Sequence, residues 1–224
     1  MLPGQDCALC GATSGRALVC AACERELPRL GNACARCALP LTASRGACGR
    51  CLAKRRPAID SALAVFEYRF PLDRLVQRFK FGADLAIGRY LGEALAGRVV
   101  SLDRPGVIVV PPLSAARLRE RGFHQALELA RAVRHATGIP VDPSLVRRVR
   151  ETESQHALDR RRRLANLRGA FACACAVQGL HVGIVDDVIT TGATAQSLAR
   201  VLKEAGAARV SAWAVARTPD PALG

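Results

Sequence analysis

Aromatic side chains make up only 4% of this 224-residue sequence, with two Tyr and one Trp. That scarcity excludes a binding face built mainly from stacked rings. No apolar run approaches the roughly 20 residues needed to span a bilayer, and Met1 to Cys10 lacks the charged and apolar regions of a signal peptide. The chain is therefore expected to have no membrane span and to be cytoplasmic. Neither the GxGxxG fingerprint of dinucleotide sites nor the GKT or GKS ending of a nucleotide-hydrolysing P-loop occurs. Lysine is nearly missing as well: 30 of the 33 basic residues are arginine, which together with abundant alanine reads as a genome-wide compositional bias.

What is present begins with charge and cysteine. The formal net charge is +14, and half of the residues are hydrophobic, enough to bury a proper core. Ten cysteines in a reducing compartment are a poor disulfide framework and a good metal-binding one. If two zinc ions each bind four thiolates, the net charge falls to about +10. A surplus of that sign raises the local concentration of nucleotides or nucleic acid without specifying which.

Eight of the cysteines form four CxxC knuckles: Cys7 and Cys10, Cys20 and Cys23, Cys34 and Cys37, Cys48 and Cys51. Each knuckle puts two sulfurs on one side of a tight loop, where they take two corners of a tetrahedron around zinc. Sequential pairing would make two zinc ribbons, and spacing alone also permits interleaving. Large apolar residues are few here, among them Leu18, Val19, Leu27, Leu30 and Leu41, so metal must supply much of the stability. The run from Lys54 to Pro57 marks a boundary, which divides the chain into residues 1–57 and 58–224. Cys173 and Cys175, beside Phe171 in an apolar stretch, read as strand cysteines and not as ligands.

The second region has the alternation of an α/β domain with a parallel sheet. Val107 to Val110, His181 to Val185 and Arg209 to Val215 read as strands. Leu198, Val201, Leu202 and Ala205 recur at helical spacing, with Gly206 as the stop. Between strand and helix stands IVDDVITTGAT, Ile184 to Thr194. Ligands of open α/β sheets bind at the carboxyl ends of strands, and phosphate sits well at a helix N-terminus. Thr190, Thr191, Gly192, Ala193 and Thr194 are small enough to let a phosphate reach the backbone N–H groups, and Gly192 allows unusual backbone angles. Asp186 and Asp187 would accept hydrogen bonds from sugar hydroxyls or support a divalent cation.

That run resembles the 5-phosphoribosyl 1-pyrophosphate (PRPP) signature of type I phosphoribosyltransferases, and nearly the whole chain resembles the ComF family. The likeness extends over the cysteine knuckles, Tyr68 to Gly82, Val110 to Gln125, Glu151 to Asn166 and the final strand, Val210 to Arg217. It implies a Rossmann-like type I phosphoribosyltransferase fold, a parallel sheet flanked by helices, preceded by a small double zinc ribbon. It also implies that Asp186 and Asp187 hold the ribose hydroxyls and that Thr190 to Thr194 cradle the 5-phosphate. Pyrophosphate with magnesium would lie near Leu113 and Ser114, in the stretch up to Arg117. Thr152 to Arg163 stands where the superfamily has a closing loop, so Arg161 and its neighbours would meet the charge of departing pyrophosphate. Lys80, between Phe79 and Phe81, either reaches the site or buries its stem with the amine in water.

Two positions depart from the pattern. Thr190 stands where hypoxanthine and guanine enzymes of the superfamily carry an acid, and His124 stands where many ComF sequences have Asn. The functional expectation is a magnesium-dependent phosphoribosyltransferase of unidentified acceptor, associated with DNA uptake in natural transformation. The alternatives are a non-catalytic single-stranded DNA-binding competence protein and a regulator that senses PRPP. Competence or recombination proteins are further expected partners.

Overall fold

The structure is a computed structural model that describes residues 4–42, 46–53, 58–150 and 169–219. The closing-loop expectation, including Arg161, lies outside the described residues. The chain opens with a short antiparallel hairpin, β1 (Gln5–Asp6) and β2 (Thr13–Gly15), followed by α1 (Ala21–Glu26) and α2 (Gly49–Leu52). These short elements are held together around sulfur, as the paucity of large apolar residues requires.

The rest is built on a four-stranded parallel sheet of order β3-β8-β7-β4. The strands are β3 (Ser61–Glu67), β4 (Val107–Val109), β7 (His181–Ile189) and β8 (Arg209–Arg217). β7 and β8 are buried along most of their length, which is why they read as near-continuous apolar runs and not as alternating ones. A second, two-stranded antiparallel sheet joins β5 (Val146–Arg148) to β6 (Phe171–Cys173). Cys173 closes β6 as expected; Cys175 lies beyond it and is exposed.

Helices cover both faces of the larger sheet. On one face α3 (Leu72–Phe81), α4 (Leu85–Val99) and α6 (Gln125–Thr137) pack Leu75, Phe79, Leu91, Leu95, Leu129 and Val133 against Val185, Trp213 and Val215. On the other, α7 (Ala193–Glu204) packs Ala195, Leu198, Ala199 and Leu202 against Ile184, Val210 and Ala212. Close approach demands glycine at two points. A Cβ on Gly88 of α4 would stand 2.4 Å from the ring of Phe79, and one on Gly183 would stand 3.3 Å from Trp213. Asp84 caps α4 by accepting from the Ile87 N–H, and Gly138 ends α6 in the left-handed conformation.

Both borders of the sheet are paired. Beyond β4, the Ile108 N–H donates to Pro140, and the Asp142 N–H donates to Ile108. Beyond β3, the stretch Pro28 to Leu30 runs antiparallel: Leu30 N–H donates to Val65 at 2.9 Å, and Glu67 N–H donates to Pro28 at 2.7 Å. A chain segment lying between the second and third CxxC knuckles thus protects an edge that would otherwise invite association.

Candidate functional site

β4 and β7 are adjacent and parallel, yet the helices that follow them leave on opposite faces, α6 on one and α7 on the other. That divergence opens a crevice at the carboxyl ends of the two strands, where open α/β sheets bind ligands. The crevice brings together two segments that the sequence places some 70 residues apart: Pro111 to Ser114 after β4, and Asp186 to Thr194 at the end of β7.

β7 continues four residues past the expected end at Val185 and includes both acids, with Ile189 opposite Arg217 of β8. The strand does not keep a strict period of two there. Val185 and Val188, three apart, belong to the same apolar cluster, while Ile184 and Ile189 belong to the other. The chain therefore turns over at the acid pair. Asp186 Oδ1 accepts from the Asp187 N–H at 2.9 Å, and Asp187 Oδ1 accepts from the Val188 N–H at 2.6 Å. Burial, and then the charge of Asp187, push the Asp186 carboxyl up to about 7, while Lys80 and Arg121 pull it down.

Gly192 follows at φ +76°, the left-handed conformation that favours glycine, and it is the N-cap of α7. Thr191 Oγ1 accepts from the Ala193 N–H, which fixes the bend. Thr190 is exposed, Thr191, Gly192 and Thr194 are half-buried, and Ala193 is buried. This is a left-handed turn opening a 12-residue helix, a geometry that presents backbone donors and a favourable dipole to an anion.

Across the crevice, Ser114 Oγ caps the short helix α5 (Ala115–Arg121) by accepting from the Arg117 N–H, and Leu113 is half-buried beside it. His124 caps α6: its Nδ1 accepts from the Leu127 N–H at 3.3 Å. An imidazole nitrogen thus does the work of an amide oxygen at the position where Asn is the family habit. Burial holds this imidazole below its ordinary range, against the pull of the Pro111 carbonyl and Asp187.

Three arginines and a lysine complete the surroundings. Lys80 Nζ lies 3.0 Å from Asp187 Oδ2, so of the two expected placements the structure has the one that reaches the site. Arg148 donates to the Pro112 carbonyl at 3.4 Å and lies over the ring of Phe171. Arg121 bonds Gln125 Oε1 at 3.0 Å and lies over the exposed ring of Phe81. Arg217, at the end of β8 and only 4% exposed, donates to the carbonyls of Cys37 (3.0 Å), Ile189 (3.0 Å) and Thr190. It ties the second cysteine group to the back of the phosphate-facing turn, across a cleft lined by Cys37, Cys51, Thr191 and Gly192. Arg121, Arg148 and Arg217 were not legible as site neighbours, since each acts through a main-chain carbonyl or a distant ring.

The cysteines pair sequentially. Cys7, Cys10, Cys20 and Cys23 form one group, and Cys34, Cys37, Cys48 and Cys51 form the other, with all sulfurs of a group within 4.8 Å of one another. Cys10 and Cys20 Sγ are 3.8 Å apart, and Cys37 and Cys48 Sγ are 3.7 Å apart. A tetrahedron with Zn–S bonds of about 2.3 Å has edges of about 3.8 Å, so the residues fit the metal. Backbone N–H groups already point at sulfur: Cys20 N donates to Cys7 Sγ and Cys48 N to Cys34 Sγ. Although burial raises the Cys7 and Cys34 thiols, such donors bring them down to about 6 and about 7.

Fold and site together define the class: an α/β protein of the type I phosphoribosyltransferase fold headed by a double zinc ribbon. Residues 1–52 match the family model described as a double zinc ribbon domain. The DNA utilization protein YhgH of Salmonella typhimurium is 38% identical over 171 residues, covering 74% of this chain and 75% of that protein. Competence protein F of Haemophilus influenzae is 34% identical over 173 residues, covering 73% and 76%. Competence protein ComFC of Streptococcus pneumoniae is 25% identical over 225 residues, covering 94% and 99%. The chain belongs to the ComF family, to which these relatives also belong.

Among solved structures, the glutamine PRPP amidotransferase of B. subtilis aligns with TM-score 0.39 and 24% identity, covering 57% of this chain and 25% of that one. The adenine phosphoribosyltransferase of Leishmania tarentolae aligns with TM-score 0.41 and 12% identity, covering 74% and 93%. These likenesses are too distant to bear on ligand or reaction. Among the described residues, no helix is long and apolar enough to cross a membrane.

Proposed function

We propose that this crevice binds PRPP with magnesium and that the protein is a phosphoribosyltransferase acting in DNA uptake or utilization. The observation that carries the reading is the acid pair directly before a left-handed glycine turn and a helix N-terminus, at the point where the helices after β4 and β7 diverge. In this reading the turn from Thr190 to Thr194 donates N–H and hydroxyl groups to the 5-phosphate. Asp186 and Asp187 accept from the ribose hydroxyls and hold the ring so that its anomeric carbon faces the loop from Pro111 to Ser114. Magnesium, carried in on pyrophosphate oxygens, supplies charge neutralisation to the leaving group. Arg161 and its neighbours would add positive charge on the same side. The acceptor that replaces pyrophosphate is an unidentified nucleophile.

Calorimetric titration with PRPP and magnesium tests the binding step, and pyrophosphate release in the presence of nucleobases, nucleosides or single-stranded DNA tests turnover. The wild-type chain is expected to bind, and Asp187→Ala is expected to lose at least about 100-fold in affinity, since two hydrogen bonds to a charged group are worth on the order of 3 kcal/mol. Absence of heat at millimolar PRPP ends the proposal. Binding without release favours a PRPP-sensing regulator.

A direct role in holding single-stranded DNA draws support from one observation. Phe81 is 60% exposed with Arg121 over its ring, a stacking platform in a strongly basic chain. With so few aromatics, affinity must come chiefly from charge and fall steeply with salt. Gel-shift titrations of single-stranded DNA at low and physiological salt, with Phe81→Ala, measure that contribution.

A further inference from the structure

Lys80 is one of only three lysines in the chain, and its setting is unusually constrained. Its two neighbours in α3 fix the backbone on either side. Phe79 is fully buried, seated over Gly88 and 5.2 Å from the ring of Phe123, while Phe81 is held from outside by Arg121. The lysine between them projects to Asp187, and both side chains are largely withdrawn from water, at 18% and 14% exposure. An ammonium and a carboxylate desolvated together depend on each other far more than a surface pair does.

The arrangement sets a condition on any sugar that uses the acid pair. Asp187 Oδ1 is engaged by the Val188 N–H, and Oδ2 by Lys80. A hydroxyl that donates to Oδ2 must displace the ammonium or share its acceptor, and a displaced ammonium needs a new anionic partner nearby. A 5-phosphate seated on the turn at Gly192 is already met by backbone donors and the dipole of α7. A charged substituent at the anomeric carbon is not met in that way. The remaining ionisable groups facing Lys80 do not fill the role either. Asp186 is the more buried acid and shares its hydrogen-bonding with the Asp187 N–H, Arg121 is another cation, and His124 is engaged as a helix cap.

We infer that Lys80 is a specificity-determining residue, which exchanges Asp187 for the anionic leaving group and so selects a 1-pyrophosphorylated ribose 5-phosphate over ribose 5-phosphate itself. The inference rests on the binding reading above and adds to it the residue that tells the two sugars apart. No bond is made or broken; the ammonium changes anionic partners.

The test is a set of calorimetric titrations of the full zinc-loaded chain with PRPP plus magnesium and, separately, with ribose 5-phosphate. Wild type, Lys80→Met and Lys80→Arg are compared, with Lys80→Gln as a smaller perturbation should the Met variant fail to fold. The wild type is expected to prefer PRPP. Lys80→Met is expected to lose at least tenfold in affinity for PRPP while binding ribose 5-phosphate as well as before or more tightly. Lys80→Arg is expected to retain most of the preference. Equal loss for both sugars, or an unchanged ratio, would make the lysine a structural counter-ion and overturn the inference while leaving PRPP binding intact. A wild-type chain that binds neither sugar overturns the inference together with the reading beneath it.

Discussion

At Asp186, burial and the charge of Asp187 act in the same direction, and the carboxyl's pKa rises from the ordinary range near 4 to about 7. The folded state then holds a proton that the unfolded chain has released, so the group's contribution to stability is complete below about pH 4 and is lost as pH rises through 7. Asp186→Asn removes that dependence. Denaturant unfolding at pH 5 and pH 8 should show the variant gaining stability relative to wild type at the higher pH; a difference independent of pH would contradict the assignment. Gly192 is the other residue with a definite backbone demand. A Cβ there has room, 3.9 Å from Ile189, but φ +76° is unfavourable for any other L-residue. Gly192→Ala should therefore cost about 1 kcal/mol of stability and weaken phosphate binding further by moving the turn, as read by thermal melts and titration. Both residues were legible because their chemistry is local: two acids, small residues and a glycine lie within nine positions. Lys80 was half legible, and its partner was not, because the 107 residues between Lys80 and Asp187 are brought together only by the packing of α3.

Among the elements, β8 does two things, filling the middle of the sheet and ending on Arg217. The buried guanidinium holds the carbonyls of Ile189 and Thr190 on one side and Cys37 on the other. Replacing it with Met leaves these carbonyls unmatched and should cost about 3 kcal/mol. The same change should lower PRPP affinity although the residue faces away from the acids, and titration of Arg217→Met measures that transfer. Sequence periodicity located β7, β8 and α7, but it stopped β7 at the acids because charge usually ends a strand. Strand order was not legible, since hydrophobic pattern says which face of a strand is buried and nothing of which neighbour covers its edge. The crevice follows from that order, through the helices that leave β4 and β7 on opposite sides.

For the whole molecule, the sulfur groups and the sheet are parts of one packing unit. Val19 and Leu27 join the same apolar cluster as Phe79 and Leu91, Arg78 donates to the Ala8 carbonyl at 2.6 Å, and Tyr90 bonds Glu24. Structural zinc of this kind contributes on the order of 10 kcal/mol of apparent binding energy. Removing it with a strong chelator under reducing conditions should do more than melt the first 52 residues. It should free the border of β3, produce concentration-dependent light scattering, and abolish sugar binding, whereas chelation without aggregation would show that the sheet stands alone. The spacing of the cysteines announced the metal clearly. The pairing of Pro28 to Leu30 with β3 was not announced, since that stretch has no strand-like alternation of its own.

That pairing bears on how such a protein can be inherited and rebuilt. A head piece that merely decorates an enzyme can be traded for another by recombination at the linker. Here the donor must bring a segment able to dock along the first strand, so the two halves travel as a matched set, and a chimera joined after Pro57 should come out of the cell insoluble unless its new head carries an equivalent strip.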